Sequence, residues 1–215
     1  MVITKLRNRL KNELPGIKSW KRMSVKSEAG ESIESESLER YERILSKVNL
    51  DSMKKAAVLL ALFKKKNEWY FPLIRRPMHE RNHPGQIALP GGAKEKDEKI
   101  EYTAIREAFE EVGIKIKNND IIGQLTPLPV PVSGYLIYPF IGLLEKEPKW
   151  TLNKDEVDEL IVTKVSDLID ADKNYSETWE LHGNKVEVPH FRIKDNAIWG
   201  ATASILSEFI DLVHQ

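Results

Sequence analysis

Between Gly92 and Ile114 the chain reads GAKEKDEKIEYTAIREAFEEVGI, with Glu107, Glu110 and Glu111 three and four residues apart. Wound as a helix at about 100° per residue, these carboxylates share one arc. Ala104, Ile105, Ala108, Phe109 and Val112 fall on the other side, the side a core takes. Like charges at such spacings repel by roughly a few tenths of a kcal/mol per pair. Arg106 reaches Glu110 one turn on, but one cation leaves two carboxylates unneutralised. A divalent cation is the natural remedy, and an all-oxygen donor set suits Mg2+ or Mn2+ rather than zinc.

An acidic helix washed by solvent is the plain alternative, and the flanking residues weigh against it. Pro90-Gly91-Gly92 enters the segment, Glu98 follows Gly92 after five residues, Arg106 follows Glu98 after seven, and Gly113-Ile114 closes it. A solvated helix has no reason to fix those spacings.

The pattern resembles the Nudix box, G-x5-E-x7-R-E-U-x-E-E-x-G-U with U apolar, and every specified position matches; Ala108 is small for its apolar slot. The resemblance implies hydrolysis of a nucleoside diphosphate linked to another group. It also implies Mg2+ or Mn2+ held among Glu107, Glu110, Glu111 and a main-chain carbonyl near Gly92. Arg106 would hold the glutamates in place, and Glu107 or a loop carboxylate would accept the proton of the attacking water. The loop candidates are Glu156 and Glu159, which could equally be exposed acids capping a helix near residue 165.

The box does not choose the substrate, and the segment before it is informative. In PLIRRPMHERNHPGQIALPGG, Arg76, Arg81, Gly85 and Pro90-Gly91-Gly92 are spaced 5, 4 and 5 apart. This is similar to the signature of the coenzyme A pyrophosphatase branch of Nudix hydrolases, LLTxRSx3Rx3Gx3FPGG. The departures are Pro72, Ile74, Pro77 and Leu89; Pro77 lacks the hydroxyl and the backbone donor of the serine it replaces. His83, Gln86, Ser133-Gly134-Tyr135 and IWGATA at 198–203 also resemble this branch. Arg76, Arg81, His83, Gly85 and Gln86 are therefore the expected substrate-binding residues, with the cations meeting phosphate. The competing reading pairs Arg76 and Arg81 with nearby carboxylates such as Glu80.

These residues sit in a chain of 215 residues, long enough for one sizeable core with an extension. Lys plus Arg and Asp plus Glu number 33 each, so no global field selects nucleic acid or an anionic membrane surface. The absence of cysteine rules out disulfides, thiolate metal sites and a cysteine nucleophile. The first residues carry no apolar signal core and no apolar run reaches the roughly 20 residues of a membrane span, so a cytoplasmic protein is the expectation.

Residues 1–50 read as a helical extension and linker. Val2, Ile3, Leu6 and Leu10 have helical spacing, Pro15-Gly16 ends that helix, residues 24–38 are Ser- and Glu-rich, and residues 39–48 suit a helical turn or two. The amphipathic first helix makes a homodimer worth testing. Residues 51–215 form the hydrolase domain. Strands are expected over Ala56–Phe63, Trp69–Arg75, Tyr135–Leu144 and Val186–Ile193, the first two as a hairpin. Leu125–Val132 can form only a broken or edge strand because of its prolines. A short helix is expected near Val165–Ile169, and a terminal helix over Ile198–Val213.

Strands flanked by the acidic and terminal helices predict an α/β fold, and the Nudix resemblance implies the same α/β/α sandwich with a mixed central sheet. The function so implied is metal-dependent hydrolysis of the pyrophosphate of coenzyme A or its derivatives to 3′,5′-ADP and (acyl-)4′-phosphopantetheine. The alternatives are a Nudix pyrophosphatase for ADP-ribose, NADH or another nucleoside diphosphate derivative, and a non-catalytic nucleotide-sensing module.

Overall fold

The computed structural model describes residues 3–27, 49–80, 83–171, 175–181 and 183–214. Arg81 and residues 28–48, which include most of the expected linker, lie outside the described residues.

The apolar run after Met53 forms strand β2 (Lys54–Lys65), and its alternation explains the layering. Ala57, Leu59 and Ala61 point to one core cluster while Leu60 and Leu62 point to another. A strand buried on both faces must lie between two layers. β2 turns through Lys66 and Asn67, both at positive φ (50° and 64°), into β3 (Glu68–Arg75). That is the left-handed conformation a two-residue hairpin needs.

Five further strands share this sheet with β2 and β3 along one path or beside it: β4 (Ile87–Ala88), β5 (Gly91–Ala93), β6 (Ile121–Gln124), β7 (Leu128–Val130) and β8 (Tyr135–Leu143). With β9 (Glu159–Lys164) on β3, the sheet has eight strands in the order β4-β3-β2-β8-β6, with β5 on β2 and β7 on β8. β2 and β8 run parallel and the other pairs antiparallel, so the sheet is mixed. β6 and β7 follow one edge of β8 and are interrupted around Pro127, as the prolines require.

Helix α3 (Ile100–Val112) covers one face, packing Ala104, Ala108 and Val112 on Ala57, Leu59 and Ala61. Two short N-terminal helices, α1 (Ile3–Arg9) and α2 (Ile17–Trp20), precede it in the chain. A helix α4 (Val165–Asp170) follows β9, and α5 (Gly200–His214) ends the chain. α5 covers the other face through Leu206, Phe209 and Ile210, completing an α/β/α sandwich. Ile198 does not begin this helix: it lies in β12 (Asn196–Trp199), which pairs with β11 (Asn184–Ile193) in a second sheet with β10 (Tyr175–Leu181) and β1 (Lys26–Ser27). The β11–β12 pairing ties Ile198 opposite Phe191, and backbone pairing there outweighs helical spacing.

The N-terminal helices pack on their own chain. Leu6, Trp20 and Met23 join the α5-side core. The buried carboxylate of Glu208 in α5 accepts hydrogen bonds from Gly16 N, Trp20 Nε1, Thr126 N and Thr126 Oγ1. Burial pushes this carboxyl up, and those donors pull it back toward the ionised form.

Candidate active site

Gly91 and Gly92 of β5 pair with Val58 and Ala57, which sets the entry of α3 against the middle of the sheet. α3 stops at Gly113, whose φ of 77° is left-handed, and Ile114 N then bonds Ala108 O at 3.1 Å. Glycine takes that turn without steric cost. Between these ends the two faces differ from the simplest reading of the spacing. Phe109 is half-exposed rather than core, whereas Glu111 is only 3% exposed.

Arg106 organises the carboxylates. Its Nε donates to Glu98 Oε1 at 2.9 Å, its Nη1 to Glu107 Oε1 and Glu110 Oε2, both at 2.9 Å, and its Nη2 to Ala93 O at 3.2 Å. Glu98 also accepts from Thr103 Oγ1 at 2.7 Å, and the Arg106 hydrogen bond holds its carboxyl down at about 2. The role of Glu98 is thus to seat the arginine, which the spacing alone did not reveal.

Glu111 lies beyond the reach of Arg106 and accepts Gly91 N at 2.9 Å. Burial pushes its carboxyl up to about 8, and burial likewise raises Glu107. Oxygens of Glu107, Glu111 and Glu156 lie within 4.8 Å of one another. A buried carboxylate forced toward neutrality beside two others is a site that lacks positive charge. Three oxygen donors of this kind fit Mg2+ or Mn2+, so these residues can hold such an ion, with Glu110 at the exposed rim.

Glu156 reaches the cluster because its loop docks on the end of α3. Thr151 N bonds Val112 O at 3.1 Å and Asn153 N bonds Glu111 O at 3.0 Å, satisfying carbonyls that the helix end leaves open. Asn153 Nδ2 then bonds Glu156 Oε1 at 3.2 Å. Glu159, the other loop candidate, begins β9 and pairs with Arg75, whose Nη2 also meets Asn196 Oδ1 at 2.6 Å.

The upstream segment closes into a loop through Arg76 N to Gln86 O at 2.9 Å and Gly85 N to Arg76 O at 3.1 Å, with Gly85 at φ 67°. Arg76 Nη2 pairs with Glu80 at 2.7 Å, the carboxylate partner weighed for it above, and its charge still bears on Glu111. His83 is exposed and Gln86 half-buried, and neither side chain makes a hydrogen bond among the described residues. The loop therefore stands beside the carboxylates with polar side chains to spare.

The NUDIX domain model matches residues 53–182, which spans the whole of this site. The chain belongs to the NUDIX family. Among its relatives, the protein named "Uncharacterized Nudix hydrolase NudL" of Photorhabdus laumondii is 34% identical over 76% of this chain and 87% of its own length. The NudL of Pectobacterium atrosepticum is 36% identical over 63% of this chain and 71% of its own. Solved Nudix structures share the fold. A MutT/nudix family protein from Enterococcus faecalis aligns with a TM-score of 0.54 at 19% identity, covering 89% of this chain and 76% of that one. The MutT protein from Methanosarcina mazei Go1 aligns at 0.51 and 20% identity, covering 75% and 95%. As a Nudix hydrolase, the protein is a pyrophosphohydrolase of small nucleotide derivatives, a family that generally uses divalent metals such as Mg2+ or Mn2+. Among the described residues no helix is long and apolar enough to cross a membrane.

Proposed function

We propose that this Nudix hydrolase cleaves the pyrophosphate of coenzyme A or its derivatives, adding water across the P–O–P linkage to give 3′,5′-ADP and (acyl-)4′-phosphopantetheine. The observation that carries the reading is the segment from Arg76 to Gln86, in which Arg76, Arg81 and Gly85 match the coenzyme A signature while Pro77 departs from it, and which leads through β4 and β5 to the carboxylate helix. A Mg2+ or Mn2+ ion held by Glu107 and Glu111, with Glu110 and the Gly92 carbonyl beside them and the Glu156 carboxylate within reach of its water, would neutralise pyrophosphate oxygens and acidify that water.

The chain's own groups supply the rest. Arg106, anchored by Glu98, fixes the rotamers of Glu107 and Glu110 and so positions rather than touches substrate. Glu156 takes the proton of the attacking water: it is exposed and carries no arginine partner, whereas Glu107 is tied to Arg106 and Glu159 to Arg75. Arg81, His83 and Gln86 bind phosphate oxygens, and Arg76 does so when it exchanges Glu80 for substrate. The protein acts in the cytoplasm.

A product screen by mass spectrometry over coenzyme A, acyl-coenzyme A esters, NADH and ADP-ribose tests this. Coenzyme A-type turnover is expected to exceed the others by about tenfold or more in kcat/KM; preferential cleavage of ADP-ribose would overturn the assignment.

A further inference from the structure

Glu156 is an exposed carboxylate with like charges for neighbours. One of its oxygens lies within 4.8 Å of oxygens of Glu107 and Glu111, and among the described residues no Lys, Arg or His pairs with it. Under that repulsion alone, a long side chain free to rotate would swing out into water. Something must hold it in.

The group that does so is Asn153. Its Nδ2 donates to Glu156 Oε1 at 3.2 Å, and its Oδ1 accepts from Asp155 N at 3.2 Å. The two contacts fix the orientation of the amide, because a flipped one would set its oxygen against a carboxylate and its NH2 against an N–H. The main chain of the same residue is tied as well: Asn153 N donates to Glu111 O at 3.0 Å, and Asn153 O accepts from Glu156 N at 3.1 Å and Val157 N at 2.8 Å. One residue therefore touches the backbone of a box glutamate and the side chain of the loop acid. Both ends of this turn are pinned. Buried Val157 and the bond from Asp158 N to Arg75 O at 2.9 Å hold one end on the sheet. At the other, Thr151 lies so close to the helix stop that a β-carbon on Gly113 would stand 2.9 Å from Thr151 N.

We propose that Asn153 is a positioning residue for proton removal, its side-chain amide holding Glu156 beside Glu107 and Glu111. The inference rests on the reading of Glu156 as the proton acceptor. A neutral donor suits the task. Lysine or arginine at this place would bind the carboxylate more strongly but cancel its charge, whereas an amide orients it and leaves that charge for the proton. Asn153 lies outside both the Nudix box and the upstream signature, so the acidic helix and the loop acid are joined by a residue that neither pattern contains.

Asn153→Ser and Asn153→Asp separate the side-chain donor from the turn. Both keep an oxygen that can accept from Asp155 N and leave the main-chain bonds in place, and neither carries an amide that reaches Glu156. With coenzyme A as substrate, or ADP-ribose where the product screen favours it, kcat is expected to fall about tenfold in Asn153→Ser, the scale of one hydrogen bond. It should fall further in Asn153→Asp, where a new carboxylate repels Glu156, with KM in both variants changed less than about twofold. In the Glu156→Gln background, Asn153→Ser should lower kcat by less than about twofold, because the charge it positions is already gone. Mn2+ affinity by titration calorimetry should stay within about threefold of wild type, since Glu107 and Glu111 are untouched. Thermal melting shows which variants are folded at the assay temperature; a lowered Tm does not spoil the test, because the comparison is between backgrounds. Equal losses of kcat with and without Glu156 would assign Asn153 to the loop alone and overturn the inference. So would a fall in Mn2+ affinity large enough to explain the lost rate, which would place the effect on Glu111. A loss of about 100-fold in Glu156→Gln beside a wild-type rate in Asn153→Ser rejects Asn153 and keeps the proton acceptor. A wild-type rate in Glu156→Gln removes the acceptor, and the inference with it.

Discussion

Gly92 lies against the carboxylate of Glu107: a β-carbon at position 92 would stand 2.5 Å from the Glu107 carboxyl carbon and from Oε1. The obstacle is the far end of a side chain, so the fold can absorb a methyl group there while the carboxylate moves. Gly92→Ala is expected to lower kcat by about 100-fold, the scale of an ångström's misplacement, with Tm changed by a few degrees at most. Unchanged kcat would show that Glu107 needs no such fixed position.

Glu111 is the most buried of the three box glutamates on α3. Glu111→Gln removes a charge that the interior resists and a donor that a cation needs. Activity should fall by roughly 100-fold or more, while Tm at pH 8 in metal-free buffer should rise, because an uncompensated buried charge is gone. A variant as active as wild type would remove this helix from the chemistry.

The same residue sets a pH dependence. With the ordinary carboxyl value at 4.5 and the folded value near 8, the folded protein keeps a proton that the unfolded chain gives up in between. Metal-free stability should therefore decline as pH rises from about 4.5 to 8 and level off above. Saturating Mn2+ or Mg2+, by binding the ionised form, should flatten that decline. Calorimetric Tm against pH, with chelator and with metal, distinguishes the two curves; parallel slopes would mean that no cation occupies this cluster.

Glu156 and Glu159 are three residues apart but have different surroundings. Glu156→Gln is expected to lower kcat by about 100-fold or more with little change in Tm. Glu159→Gln should leave kcat within about twofold and shift stability by less than about 1 kcal/mol, since its pair with Arg75 is largely exposed. Equal losses of kcat would reject Glu156 as the proton acceptor.

Arg106 joins Glu98, Glu107, Glu110 and the Ala93 carbonyl, a fork that lysine cannot reproduce. Arg106→Lys should destabilise the chain by about 2 kcal/mol and lower kcat more than it changes KM, since its partners are the glutamates rather than substrate. A rise in KM alone would place Arg106 on the substrate.

Much of this protein was legible in local sequence. The helix from Ile100 to Val112, its glycine stop, the β2–β3 hairpin and the two-sided burial of β2 follow from periodicities and turn residues within a few positions of one another. The set of box carboxylates was likewise fixed by spacing on one helix. Tertiary structure decided the rest, because it depends on contacts between distant segments. Glu156 meets Glu107 and Glu111 only because residues 151–153 bond the open carbonyls at the end of α3. Glu98 becomes the anchor of Arg106, and Phe109 stays half-exposed where helical spacing alone would place core. The N-terminal segment is held by Glu208, a carboxylate 192 positions from Gly16, and no local pattern marks an acid in an apolar helix face as the latch. Spacing along one element names candidate carboxylates; only packing between elements sets which of them are buried, paired or gathered with an acid from another segment.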